Sequence, residues 1–132
     1  MKNIIIKILR WIWEFPQCML GLILTKFYMG EKVLSINNVD FYKSITMPSG
    51  ISLGLYVIMN RYRYMYNAKQ ITFHEYGHSK QSLYLGPLYL PIVGITSAAW
   101  NILRRIFPAL RKINYYSIWP ENWADKLGGV KR

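Results

Sequence analysis

One stretch of this chain has little conformational freedom. From Ala68 to Leu85 it is predicted to form a helix carrying both of the protein's histidines. Asn67 is a good N-cap, and Gln70 three positions later completes a capping-box pattern. Gly86-Pro87 is a stop signal at the other end. Thr72 with Glu75 forms a competing box, but that later start would leave His74 in the first turn and tie up Glu75 in capping, so the start at Asn67 is preferred. Residues four apart lie one turn above each other, so His74 and His78 project from the same face, with Ile71, Glu75, Ser82 and Leu85 near it. Two imidazoles in that relation suit two coordination positions of a zinc ion. Glu75, between them, is placed to take a proton from a water that the metal polarises.

The rest of the chain bounds what surrounds this helix. Its 132 residues fit a single domain, 1–132, with a modest core. Charged residues are only 17%, apolar residues reach 52% and aromatics 16%. The formal charge is +11, which favours an anionic partner, either nucleic acid or an acidic membrane surface. Tyr and Trp mixed with long aliphatic runs favour the membrane and disfavour nucleic acid. Cys18 is the only cysteine, so an internal disulfide and a cysteine-based zinc site are both excluded.

Three regions follow one another. The N-terminal region, 1–30, is apolar and helical, with Asn3, Lys7, Arg10, Glu14 and Gln17 forming one narrow polar stripe. Arg10 and Glu14 interrupt the apolar run and no small-residue cleavage site follows, which argues against a signal peptide. Pro16 should kink or start a helix, and Phe15 to Thr25 is too short to span a bilayer. The expectation is a membrane-embedded or interfacial helix followed by a second short one up to Tyr28.

The β-rich region is 31–66. Lys32 to Ile36 is a strand candidate, Asn37-Asn38 a turn, and Val39 to Ile45 a returning strand. Ile51 to Met59 is read as one further strand whose edge could receive an extended peptide. Arg61 to Tyr66 alternates cations with aromatics, which suits a membrane interface better than nucleic acid in so apolar a chain. In the last region, 67–132, the uncharged run from Leu88 to Leu103 ends in Arg104 and Arg105 and suggests a re-entrant or short membrane helix. With Arg111 and Lys112, those arginines place the adjoining loops on the cytoplasmic side.

A second motif completes a ligand set. Pro120 suits the first helical position and Gly128-Gly129 the end of a short helix, in which Glu121 and Asp125 share a face. His74, His78 and Glu121 then make a His2Glu set for zinc. Asp125 would stand behind it, accepting a hydrogen bond from the far nitrogen of one histidine. Zinc lowers the pKa of a bound water towards about 7, so Glu75 can take its proton and hand it to a leaving amine. Tyr115, Tyr116 and the nearby arginines are candidates to support the oxyanion.

These residues carry a resemblance. His-Glu-x-x-His followed by Glu-x-x-x-Asp resembles the gluzincin metallopeptidases. Glu121-Asn-Trp-Ala-Asp125-Lys-Leu-Gly128 is similar to the corresponding motif of the integral-membrane CAAX prenyl proteases and HtpX-like proteases. The resemblance implies zinc on His74, His78 and Glu121, a catalytic base in Glu75 and a supporting role for Asp125. A metzincin is disfavoured, since Gln81 and Tyr84 stand where that pattern needs glycine and histidine.

The expected protein is a small α+β metallopeptidase-like domain with a short antiparallel sheet, an active-site helix and apolar membrane-associated helices. It would be a zinc-dependent peptidase acting on a peptide or protein substrate at a lipid membrane, with its site at the cytoplasmic face. The alternative is a non-catalytic basic protein that binds a membrane or a partner and keeps a vestigial or structural metal site.

Overall fold

A computed structural model of the chain describes residues 2–132. Among these residues there are five α-helices and one four-stranded sheet, so the class is α+β. Helix α1 (Lys2–Trp13) and helix α2 (Phe15–Phe27) come first, broken at Glu14, with Pro16 in the first turn of α2 where a missing N–H costs nothing. Strands β1 (Glu31–Ile36) and β2 (Val39–Ser44) form a hairpin through Asn37 and Asn38, both left-handed, as a two-residue turn requires.

The next segment departs from expectation. The run from Ile51 to Met59 is two strands, β3 (Gly50–Leu53) and β4 (Tyr56–Asn60), joined by a tight turn at Gly54. Gly54 has φ of 65°, and a Cβ there would collide with the Cys18 Sγ, so only glycine fits. The sheet order is β1-β2-β4-β3. The chain leaves β2, passes to the outer edge as β3 and returns inside it as β4, parallel to β2. The sheet is therefore mixed where an antiparallel one was expected, because a hairpin folded back between two strands reverses the direction of its second arm. Val39, Phe41, Val57 and Met59 alternate inward and form the core with Cys18, Leu55 and Ile71.

Helix α3 (Arg61–Leu85) lies on this sheet. It begins earlier than the predicted Ala68, capped by Asn60, but Asn67 inside it has non-helical dihedrals (φ −150°, ψ 71°). The side chain of Asn67 accepts from the Gln70 N–H and its amide donates to the Gln70 side chain, so the capping chemistry operates where the two helical pieces join. The Arg61–Tyr66 alternation is thus a first helical segment rather than an extended one. After a 3₁₀ turn at Gly86–Leu88 and a π-helical turn at Leu90–Gly94 comes α4 (Ile95–Ile106), and this second arm bends 119° from α3. No single helix among the described residues is long and apolar enough to cross a membrane. Helix α5 (Glu121–Gly128) ends on a left-handed Gly129.

Helix α3 packs closely against α5. A Cβ on Gly77 would fall on the Ala124 carbonyl oxygen, and one on Gly128 on the Phe73 carbonyl oxygen. The two backbones touch, as only paired glycines allow. Gly77→Ala is expected to lower unfolding stability by about 3 kcal/mol, measured by urea denaturation, since backbone and not a flexible side chain must move. An unchanged urea midpoint would show that the helices can separate at no cost.

Candidate metal centre

Helix α3 carries His74, Glu75 and His78, while α5, held against it by the glycine contacts, carries Glu121 and Asp125. All five side chains are buried. The Glu121 Oε2 lies 3.0 Å from the Nε2 of His74 and 3.0 Å from the Nε2 of His78. One ligand atom from each of the three residues lies within 4.8 Å of the others, so together they could hold a metal ion.

The partners on the far side of each ring decide what these atoms can be. The His74 Nδ1 lies 2.7 Å from the Asp125 carboxylate, an acceptor only, so Nδ1 carries the proton. The Gln81 amide nitrogen donates to the Pro120 carbonyl at 2.9 Å, which turns its oxygen towards the His78 Nδ1 at 2.7 Å. That nitrogen is therefore protonated too. In neutral imidazoles both Nε2 lone pairs then aim at a carboxylate oxygen. Three acceptors converging on one point repel unless something positive lies between them, either a proton or a cation. The carboxylate oxygen stands 3.0 Å from each nitrogen, close to the separation of neighbouring ligands around a tetrahedral ion with bonds near 2 Å.

Protonation follows the same logic. Burial disfavours the charged form of His74, but its hydrogen bonds with Asp125 and Glu121 outweigh burial and push it up to about 10. His78 is raised likewise, against burial, by Glu121. Burial would raise Glu121, yet the hydrogen bonds from His74 and His78 hold it well below the usual carboxylate range. The site demands positive charge, and a bound cation would supply it.

Supporting groups surround this triad. The other Glu121 oxygen accepts from Ser97 of α4 at 2.7 Å and from the Tyr115 hydroxyl at 3.4 Å. Asp125 is gripped by Arg132, with Nε at 2.7 Å from one oxygen and Nη2 at 3.1 Å from the other. The Arg132 guanidinium also stacks 3.2 Å from the Tyr116 ring centre, and that ring packs edge-on against His74. Of the two tyrosines singled out from sequence, Tyr115 touches Glu121 through its hydroxyl. The Tyr116 hydroxyl is instead taken by Arg63. Among the described residues Glu75 has no hydrogen-bond partner, and its carboxylate abuts Gly50 of β3, where a Cβ would strike Oε1.

Gln81, Ser97 and Arg132 escaped the sequence reading. Gln81 had a local signal, standing three residues after His78 on the same helix, and Ser97 was a polar residue in an apolar run. Arg132 had none. Removing the Asp125 carboxylate (Asp125→Ala) frees the His74 ring, and metal affinity is expected to fall about 10- to 100-fold in competition with a chromophoric chelator. Unaltered affinity would mean that the ring is held by packing alone. Comparison of the chain with protein-family models, with curated proteins and with solved structures finds no match.

Proposed function

We propose that the protein is a zinc-dependent peptidase of gluzincin type in which Glu75 is the general base. The observation that carries this reading is the convergence of His74, His78 and Glu121 beside an unpartnered buried Glu75. Two imidazoles and a carboxylate suit zinc, whose catalytic sites commonly keep three protein ligands and one open position. Zinc bound there supplies a Lewis acid that polarises a substrate carbonyl and makes a water molecule more acidic.

The chain's own residues do the rest. Asp125 and Gln81 fix the two imidazoles so that both Nε2 atoms face inward. Ser97 and Tyr115 hold one Glu121 oxygen and leave the other free to ligate. Glu75 takes a proton from the attacking water and passes it to the leaving amine, which needs a carboxylate not already committed to another group. β3 is an edge strand of the sheet and passes Glu75 at Gly50. Tyr89 donates to the Ser52 carbonyl and covers that end of the strand, leaving Gly50 and Ile51 as the place where an extended substrate would add.

A peptide library incubated with the metal-stripped protein should remain intact, and restored zinc should produce cleavage. No cleavage by the zinc-loaded protein would favour the other reading, a binding protein in which the metal ties α3 to α5.

A further inference from the structure

Helices α1 and α4 are built inside out. At the end of α1 the polar stripe turns to the protein: Arg10 is buried as an ion pair with Glu14 in the break that follows, Arg10 donates to the Ser79 carbonyl, and Ser82 donates to Glu14. Gln17, at the start of α2, is buried with them and donates to Ser82 and the Gly86 carbonyl. The opposite side of α1, with Ile5, Ile8 and Ile12, is open, and Ile12 is 71% exposed. On α4 the same inversion recurs. Ser97 donates to Glu121, Asn101 donates to Tyr115 and Arg104 lies over the Tyr115 ring, while Ile95, Ile102 and Ile106 point away from the protein. Helix α2 adds Phe15, Ile23 and Phe27 to the exposed apolar surface. A helix at a water boundary buries its apolar face, so polar-in and apolar-out in two separate helices calls for an apolar surrounding.

Charge selects which one. Of the six acidic side chains, Glu14, Glu75, Glu121 and Asp125 are buried, and the other two pair with lysines, Glu31 with Lys43 and Asp40 with Lys32. The cations, by contrast, lie beside the apolar faces, with Lys2 and Lys26 on α1 and α2, and Arg105, Arg111 and Lys112 at and beyond the end of α4. A second copy docked by two-fold symmetry would bring these cations together with no free acid to meet them. Anionic lipid headgroups meet them with opposite charge. α1 and α4 have 12 residues each, a rise of about 18 Å against a hydrocarbon core of about 30 Å. That length suits helices lying within one leaflet.

We propose that the outward faces of α1, α2 and α4 seat the protein in one leaflet of an anionic lipid bilayer. The inference stands independently of the metal chemistry. One consequence joins the two: α4 turns its apolar face to lipid and its Ser97 to Glu121, so the seated helix is also a wall of the metal centre.

The test is flotation of the protein with vesicles of phosphatidylcholine and phosphatidylglycerol at 3:1, and with phosphatidylcholine alone. Binding to the anionic vesicles, weaker binding to the neutral ones and partial release by salt are expected. The double variant Ile12→Gln and Ile102→Gln, which leaves the charge unaltered, should weaken binding about tenfold with an unchanged circular dichroism spectrum. Lipids brominated on their acyl chains should quench the tryptophan emission of the wild type and not of the double variant. Three results would overturn the proposal: no flotation with anionic vesicles, a stable dimer that the same double substitution dissolves, or salt-sensitive binding to nucleic acid in place of lipid.

Discussion

Glu121→Ala is expected to abolish metal binding. Glu121 is 1% exposed, and among the described residues its Oε2 is the one carboxylate oxygen that both histidine Nε2 atoms face. Truncation leaves two imidazoles four residues apart on one helix, and two ligands seldom hold zinc against a competing chelator. About one zinc per chain in the wild type should fall below about a tenth in the variant after gel filtration, measured by atomic emission. Hydrolysis should fall with it, to the background of the metal-stripped protein. The Ser97 and Tyr115 hydroxyls lose their acceptor in the same change, so circular dichroism should accompany the assay to show that α4 and α5 stay in place. Full zinc occupancy in a folded variant would remove Glu121 from the ligand set.

Glu75→Gln separates chemistry from binding. Glutamine has the shape of glutamate, so the tight fit against Gly50 is kept and the three ligands are untouched. It cannot accept a proton at neutral pH. Metal content is expected to match the wild type while kcat falls by about 10²- to 10⁴-fold, the usual worth of a positioned general base. KM should change little, because the residue acts on the attacking water and not on the bound substrate. A variant that keeps both its zinc and its turnover would sink the assignment of Glu75. Loss of metal would instead show that Glu75 helps to hold the ion.

The local parts of this site were open to inspection in the sequence. His74 and His78 share a face because a helix repeats every 3.6 residues, and the same arithmetic pairs Glu121 with Asp125. The Asn67 cap was equally local, needing only Gln70 three positions on. What lay beyond local reasoning was direction. Periodicity put Arg10, Glu14 and Gln17 on one stripe but carried no information on which side of the helix the protein lies. The usual rule, apolar side inward, is reversed at α1 and α4. The run from Ile51 to Met59 was apolar enough for one strand, and a single glycine folds it into two. The parallel pairing of β2 with β4 follows from that fold-back, a relation between segments that neither strand's residues encode.

Sequence alone determined which side chains stand one turn apart and where the helices carrying them stop, since both depend on neighbours within four residues. Tertiary structure alone decided that His74, His78 and Glu121 meet. Glu121 is separated from the two histidines by 47 and 43 residues, and they converge only because Gly77 and Gly128 let α3 and α5 touch backbone to backbone. The same packing points Asp125 and Gln81 at the outer ring nitrogens and turns both inner nitrogens towards Glu121. Spacing paired the side chains within each helix, and the contact between two glycine-bearing helices turned His74, His78 and Glu121 towards one point.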